Sequence, residues 1–358
     1  MNRRTATLAA IGITAWASIL LSQVTAVAAP ADNGSNNGST ADKGHSLERG
    51  QTERQAGYSI GLWGDQPYGD AGLAALPTVI ADINKQELKF TIFDGDIKSG
   101  SSLCADTQYT QATATFSSIK WATVYTPGDN EWTDCDRKKA GLYDPNERLA
   151  LIRNTFFATG KSQGQDPMDV DQQSAQFPEN ARWFHDGVAF ITVNVPGTDN
   201  NYPQVDSTGA AVDADGVPLS ATNTRPQNGD LAEYTARNAA NLAWLESGFR
   251  YAQTRGAKGI MIVQQADMWS TADPTAHYAD EKAKLARLVA GTKRPVVLVN
   301  GDSHAFSVDN PLTDAAGATV GNFQRVTTDG DVNHGWTKVD ITPNAPTVFT
   351  FTRQVTTP

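Results

Sequence analysis

Lys89-Phe90-Thr91-Ile92-Phe93-Asp94-Gly95-Asp96 runs apolar and β-branched, then stops on a Gly-Asp pair. A short apolar run closed by turn residues reads as a buried strand. Four further runs end in the same manner. Run 58–63 leads into Gly64-Asp65-Gln66, and run 121–125 into Gly128-Asp129-Asn130-Glu131. Run 259–263 leads into Gln264-Gln265-Ala266-Asp267, and run 295–299 into Gly301-Asp302-Ser303-His304. Asp65 precedes Asp96 by 31 residues and Asp96 precedes Asp129 by 33, the length of successive βαβ units. The C-terminal ends of parallel strands share one edge of a sheet, where ligands bind. Carboxylates gathered there repel one another unless cations lie among them. The pattern therefore predicts a metal site.

Gly-Asp alone is turn chemistry. The chain has seven such pairs, and Gly69-Asp70, Gly229-Asp230 and Gly330-Asp331 read as turns. The other four are singled out by the apolar run before each. Helix patterns fall at 71–85, 106–120, 145–159 with Asp144 as N-cap, 230–254 and 280–290. In 230–254, Leu231, Tyr234, Ala239, Leu242, Leu245 and Phe249 form the apolar stripe. Segment 182–195 reads as a strand pair, 199–228 as a polar insertion that could overhang the site, and 318–355 as antiparallel strands.

Arg3 and Arg4, an apolar stretch over about 8–21 and Ala26-Val27-Ala28 make residues 1–28 a secretory signal peptide. Residues 29–55 are Gly-, Ser- and Asn-rich and read as a flexible mature N-terminus, leaving 56–358 as one domain. Loss of the two arginines takes the net charge from −10 to −12, which argues against nucleic acid or anionic membrane as a partner. No later stretch is apolar enough to span a bilayer, and nothing in the chain sets an oligomeric state. In an exported protein the two cysteines, Cys104 and Cys135, suggest a disulfide, worth on the order of 3–4 kcal/mol for a loop of this length. Such a bridge would pin the loops after the second and third strands. No nucleophile elbow, Walker loop, dinucleotide fingerprint or Cys/His zinc spacing occurs.

The ordered blocks resemble those of the calcineurin-like metallophosphoesterases: D-x-H, G-D-x-x, G-N-H-[DE], a strand-ending His, then G-H-x-H. Here they stand as Asp65-Gln66-Pro67, Gly95-Asp96, Gly128-Asp129-Asn130-Glu131, Gln265 (or Gln264) and Gly301-Asp302-Ser303-His304. The layout agrees, and several ligands differ. Pro67 stands for the first His, Asp129 for the metal-binding Asn, Asn130 for the next His, Gln for the fourth-block His, and Asp302 for a His of the last block. The resemblance implies a four-layer α/β/β/α sandwich and a two-metal centre. Asp96 would bridge two divalent cations. Asp65 and His304 would hold the first, with Asp129, Asp302 and Gln265 on the second. Such an oxygen-rich set suits Mg²⁺, Mn²⁺ or Ca²⁺ better than Zn²⁺.

The implied activity is hydrolysis of a small phosphoester by metal-activated water, outside the cytoplasm. Asn130 and His304 are the catalytic candidates; Asn130, Glu131 and Trp132 would meet substrate. Trp269 and segment 194–201 are further candidates for the cleft wall, and Asp267 is a supporting acid or turn residue. His334 and His185 are outlying candidates; His277 reads as a surface residue and His45 lies in the flexible start. An alternative on the same fold is a weakened metal- or anion-binding protein without turnover, and a third reading is an unrelated α/β protein whose Gly-Asp pairs are turns.

Overall fold

In the computed structural model, residues 57–271 and 275–356 are described. The expected leader 1–28, the segment 29–55 and His45 lie outside the described residues. Twelve strands are present among those described. They are β1 (Tyr58–Trp63), β2 (Phe90–Phe93), β3 (Ala122–Tyr125), β4 (Asp171–Gln172), β5 (Ala181–His185) and β6 (Val188–Thr192), followed by β7 (Gly259–Val263), β8 (Val296–Asn300), β9 (Ser307–Asp309), β10 (Phe323–Thr327), β11 (Gly335–Ile341) and β12 (Phe349–Val355). One sheet has the order β12-β11-β1-β2-β3, the other β4-β5-β6-β7-β8-β10-β9. β1, β2 and β3 are parallel, as are β6, β7, β8 and β10.

Pleating sends alternate residues to opposite faces. Ile60, Leu62, Ile92 and Val124 meet Phe190, Met261, Val263, Val297 and Val299 between the two sheets. Trp63, Phe93 and Tyr125 turn outward and pack with Val79, Ile83, Phe116 and Ile152 from the helices Gly69–Lys85, Asp106–Ser117 and Pro145–Phe156. On the far side Ile260, Ile262 and Leu298 pack with Trp244, Phe249, Leu285 and Val289 from the helices Leu231–Thr254 and Ala279–Ala290. The result is a four-layer α/β/β/α sandwich. Its central strands are covered on both faces, which is why they read as unbroken apolar runs. Asp144 caps its helix, accepting from the backbone N–H of Asn146 (2.8 Å) and Glu147 (3.2 Å). No helix among the described residues is long and apolar enough to cross a membrane.

Three sequence expectations need correction. The tail is not simply antiparallel: β10 joins the second sheet parallel to β8, and only β11 and β12 pair as expected. Gly69-Asp70 opens a helix rather than forming a free turn, and Asp230 caps one, accepting from Ala232 and Glu233 N–H. The stripe on Leu231–Thr254 is rotated. Leu231 is 52 % exposed, while Arg237, Asn238 and Asn241 are buried. The first turns of this helix pack on polar loops beneath the strand ends instead of on the sheet, so polar side chains face inward there.

On the neighbouring helix Ala279–Ala290 Glu281 is buried as well, and it accepts from Asn200 Nδ2 at 3.2 and 3.3 Å. Burial first, then the neighbouring Asp280, raises its pKa to about 8, against the pull of Arg237 and Asn200. A raised carboxyl stabilises the fold at low pH and loses that contribution as pH climbs through the folded value. Between pH 5 and 9 the wild-type Tm is expected to fall more steeply than that of Glu281→Gln. Parallel curves in a thermal melt series would show that Glu281 does not titrate in this window.

Candidate metal centre

Seven loops meet at the C-terminal ends of β1, β2, β3, β6, β7, β8 and β10. One ligand atom from each of Asp65, Asp96 and His304 lies within 4.8 Å of the others. Asp65, Asp96, Asp302 and His304 all have left-handed backbone, with φ of 50°, 63°, 68° and 55°. This conformation is uncommon outside glycine, and strain of this kind concentrates at functional sites. The glycines of the blocks have a steric cause. A Cβ on Gly128 would collide with Asp96 Oδ1, and one on Gly301 with the Asp65 carboxylate. In these two blocks the glycine lets the backbone lie against the acid of an earlier block.

The acids are tied to one another by donors. Asp302 N–H donates to both oxygens of Asp65 (3.1 and 3.2 Å), and His304 Nε2 lies 3.1 Å from Asp65 Oδ1. Asp96 Oδ2 accepts from Tyr68 Oη (2.8 Å), Asn130 Nδ2 (2.6 Å) and Gln265 Nε2 (3.3 Å), and Oδ1 from Asn130 N–H (3.1 Å). Burial first, then Asp129, Glu131, Asp65 and Asp302, pushes the Asp96 carboxyl well above the usual range. A carboxyl so placed takes a proton or a cation. Burial lowers the His304 imidazole's basicity, but the hydrogen bond and charge of Asp65 outweigh it and the net shift is upward. Tyr68 stays protonated, held so by burial and by the charges of Asp96 and Asp65.

Beneath this layer Glu131 is fully buried. Its Oε1 accepts from Tyr125 Oη (2.7 Å), Gly128 N–H (2.7 Å) and Asp96 N–H (3.2 Å). Lys98 is buried beside it, its Nζ donating to Ser99 O, and burial lowers its pKa against the pull of Glu131, Asp134 and Asp96. Asp134 is raised to about 8 by burial and by Asp129, with Arg137 acting against the shift. Arg137 pairs with Asp134 while its side chain stays 34 % exposed. Its loop is fastened by the Cys104–Cys135 disulfide, which joins the segments after β2 and β3 as anticipated.

From β6 the chain enters a turn in which Thr198, Asp199, Asn200 and Asn201 are all left-handed. Thr198 Oγ1 lies 2.8 Å from Asp129 Oδ2 and 2.9 Å from Asp134 Oδ1. The insertion does reach the site. Gln204 and Asn228 line a cleft of about 410 Å³ together with Asp96, Asp129, Arg137 and His304. A larger and more apolar cavity of about 580 Å³, between Leu142 and Leu231, contains none of the clustered acids.

The structure therefore gathers Asp65, Asp96, Asp129, Asn130, Gln265, Asp302 and His304 at one place. Several of the roles read from the sequence change. Gln264 turns away, donating to Ala266 O, so Gln265 is the residue at the centre. Gln265 itself is turned with its nitrogen toward the acids. Its Oε1 accepts from Gly197 N–H (2.5 Å), and Nε2 faces Asp129 Oδ1 (3.0 Å), Asp96 and Asp302 Oδ1 (3.3 Å). An amide nitrogen is a donor and not a metal ligand. Both N–H groups of the Asn130 carboxamide are used inside the site, on Asp96 and Tyr68 Oη. Glu131 and Trp132 do not line the cleft: both are fully buried, and Trp132 packs in the core with the Arg237 guanidinium 5.5 Å from its ring.

The outlying candidates also find places. Trp269 faces Phe323, Lys282 and Arg325 rather than the cleft. Asp267 accepts from Ser303 Oγ and pairs with Arg325, while its N–H donates to Asp302. His185 packs on Tyr58 and Phe90, at the opposite ends of the strands. His334 lies 4.0 Å from Asp331. His277 keeps a side chain 32 % exposed, and it also stacks on Tyr202 at 3.5 Å and lies 2.6 Å from Asp199. Tyr68, Lys98, Asp134 and Arg137 were not singled out from the sequence, whereas Thr198, within the candidate segment 194–201, does line the cleft. Asp331, in a pair read as a plain turn, accepts the Tyr68 N–H at 2.8 Å.

The residues fit a cation at one position: two carboxylates and an imidazole converge, a donor set that divalent ions accept. At the position expected of a second cation, between Asp129, Asp302 and Asp96, a donor already stands.

No protein-family model matches the chain, and no curated protein sequence does. Among solved structures the chain is similar to a dimetal phosphatase from Danio rerio, with 12 % identity and a TM-score of 0.51, over 83 % of this chain and 96 % of that one. It is also similar to a purple acid phosphatase from yellow lupin seeds (10 % identity, TM-score 0.46, 84 % of this chain and 54 % of that one). At 12 % identity the likeness to the dimetal phosphatase is one of fold alone, the four-layer α/β/β/α sandwich described above.

Proposed function

We propose that the protein is an exported metal-dependent phosphoester hydrolase acting on small substrates. The observation that carries this reading is the convergence of Asp65, Asp96 and His304 on left-handed backbone at strand ends of both sheets. A divalent cation held by these three would lower the pKa of a bound water and draw charge from the phosphoryl oxygens. The remaining work belongs to the chain's own side chains. Asp65 orients His304 through the 3.1 Å contact. Tyr68, kept protonated, holds its hydroxyl on Asp96 and flanks the imidazole with ring centroids 5.1 Å apart. Arg137 brings a guanidinium to the cleft, suited to two phosphate oxygens at once. The cleft volume suits a small ester.

The test is hydrolysis of a chromogenic phosphomonoester and phosphodiester by the full chain, with Mn²⁺ and with chelator. Turnover that requires the cation is expected. Arg137→Met is expected to raise KM about 10–100-fold with kcat little changed, the size of a lost charge-assisted hydrogen bond. Turnover indifferent to chelator would overturn the proposal. Metal binding without turnover would favour the metal-binding protein on the same fold.

A further inference from the structure

We infer that this centre takes a single divalent cation, and that the carboxamide nitrogen of Gln265 stands where a second would sit. The inference rests on the metal-dependent reading proposed above and concerns how many ions that reading requires.

Gln265 is fully buried, so its amide has one environment. The backbone N–H of Gly197, 2.5 Å away, faces Oε1. Rotating the amide by half a turn would set the NH₂ against that N–H, donor against donor. Gly197 therefore fixes which end of the amide meets the acids. Its two N–H groups serve three carboxylates from three blocks: Asp129 Oδ1 at 3.0 Å, Asp96 Oδ2 at 3.3 Å and Asp302 Oδ1 at 3.3 Å. One nitrogen thus occupies the point on which these acids converge.

The other oxygens of the same acids are engaged as well. Asp129 Oδ2 has the Thr198 hydroxyl at 2.8 Å, and Asp302 Oδ2 accepts the Asp267 N–H at 3.2 Å. Asp96 Oδ2 already accepts from Tyr68 and Asn130 in addition to Gln265. A carboxylate offers about four lone-pair directions. Neutral donors use those a second ion would need. Four clustered carboxylates with one divalent ion retain two negative charges, and these donors are what compensates them.

The experiment is Mn²⁺ titration of the full chain by calorimetry, with bound metal counted by mass spectrometry and Mn²⁺ paramagnetic resonance recorded alongside. One ion per chain with an isolated six-line spectrum is expected. Gln265→Glu keeps the shape and the acceptor for Gly197 but sets a carboxylate among three others. It is expected to raise the count to two, with a spin-coupled spectrum. Two ions in the wild type would overturn the inference and leave the hydrolase proposal standing. No bound ion would overturn both. A count that stays at one in Gln265→Glu would show that the amide is not what fills the second position.

Discussion

Asp96→Asn is expected to lower metal-dependent kcat by about 10³-fold or more, and to weaken Mn²⁺ binding, with the fold retained. Asp96 touches donors from beside the first block and from the third and fourth blocks: Tyr68, Asn130 and Gln265. Substitution removes an anionic ligand and replaces one oxygen by an NH₂. That group must face either the Asn130 N–H or the Asn130 and Gln265 amides, all of them donors. A cation's electrostatic contribution to phosphoryl transfer is several kcal/mol. At about 1.4 kcal/mol per tenfold, that corresponds to the stated loss. Asp70→Asn is the matched control. It is also the aspartate of a Gly-Asp pair, but it is exposed on the first turn of the helix Gly69–Lys85. Steady-state kinetics and calorimetry on the two variants decide the matter. An Asp96→Asn enzyme within tenfold of wild type would place the reacting centre elsewhere.

The contrast between Asp96 and Asp70 shows what a sequence can reveal about this fold. Strands β1, β2, β3, β7 and β8 are legible because two covered faces leave no polar position to interrupt the run. The acids after them are legible because each follows such a run. Asp331 escaped notice because β10, Phe323–Thr327, carries Gln324 and Arg325 inside its apolar pattern. Trp132 was misplaced because adjacency in sequence does not fix direction. After Asp129 the chain turns down into the short 3₁₀ segment Thr133–Asp136, which carries the indole into the core. The role of Gln265 is set by a backbone N–H 68 residues away in sequence, on a turn that only the tertiary fold brings near. The turn itself had a signal. Thr198-Asp199-Asn200-Asn201 is rich in the two residue types that tolerate left-handed backbone.

That turn leads to the second large effect, on stability. Arg237→Met is expected to cost about 3–5 kcal/mol, the range for breaking a buried ion pair from one side. With an unfolding entropy near 2.1 cal/mol/K per residue over about 300 residues, Tm should fall by about 5–8 °C. Arg237 is fully buried on the helix Leu231–Thr254. Its Nε donates to Glu233 Oε1 (2.7 Å), Nη1 to Asn200 Oδ1 (2.7 Å) and Asn194 O (3.1 Å), and Nη2 to Asn200 O (2.8 Å). Left-handed backbone costs roughly 1–2 kcal/mol per residue, and a β-branched threonine bears it worst. Four such residues in a row persist only if the surroundings hold them. Arg237 supplies much of that hold, with Tyr278 Oη accepting the Asn200 N–H (3.0 Å) and His277 binding Asp199. Relaxation of the turn would carry Thr198 off Asp129 and Asp134. Activity measured well below Tm should therefore fall as well, which a purely structural role far from the cleft would not produce. Arg237→Lys keeps the charge for Glu233 but cannot reach three acceptors with a planar fork, so it should fall between the two. An Arg237→Met protein melting with the wild type would mean that the turn is held without the clamp.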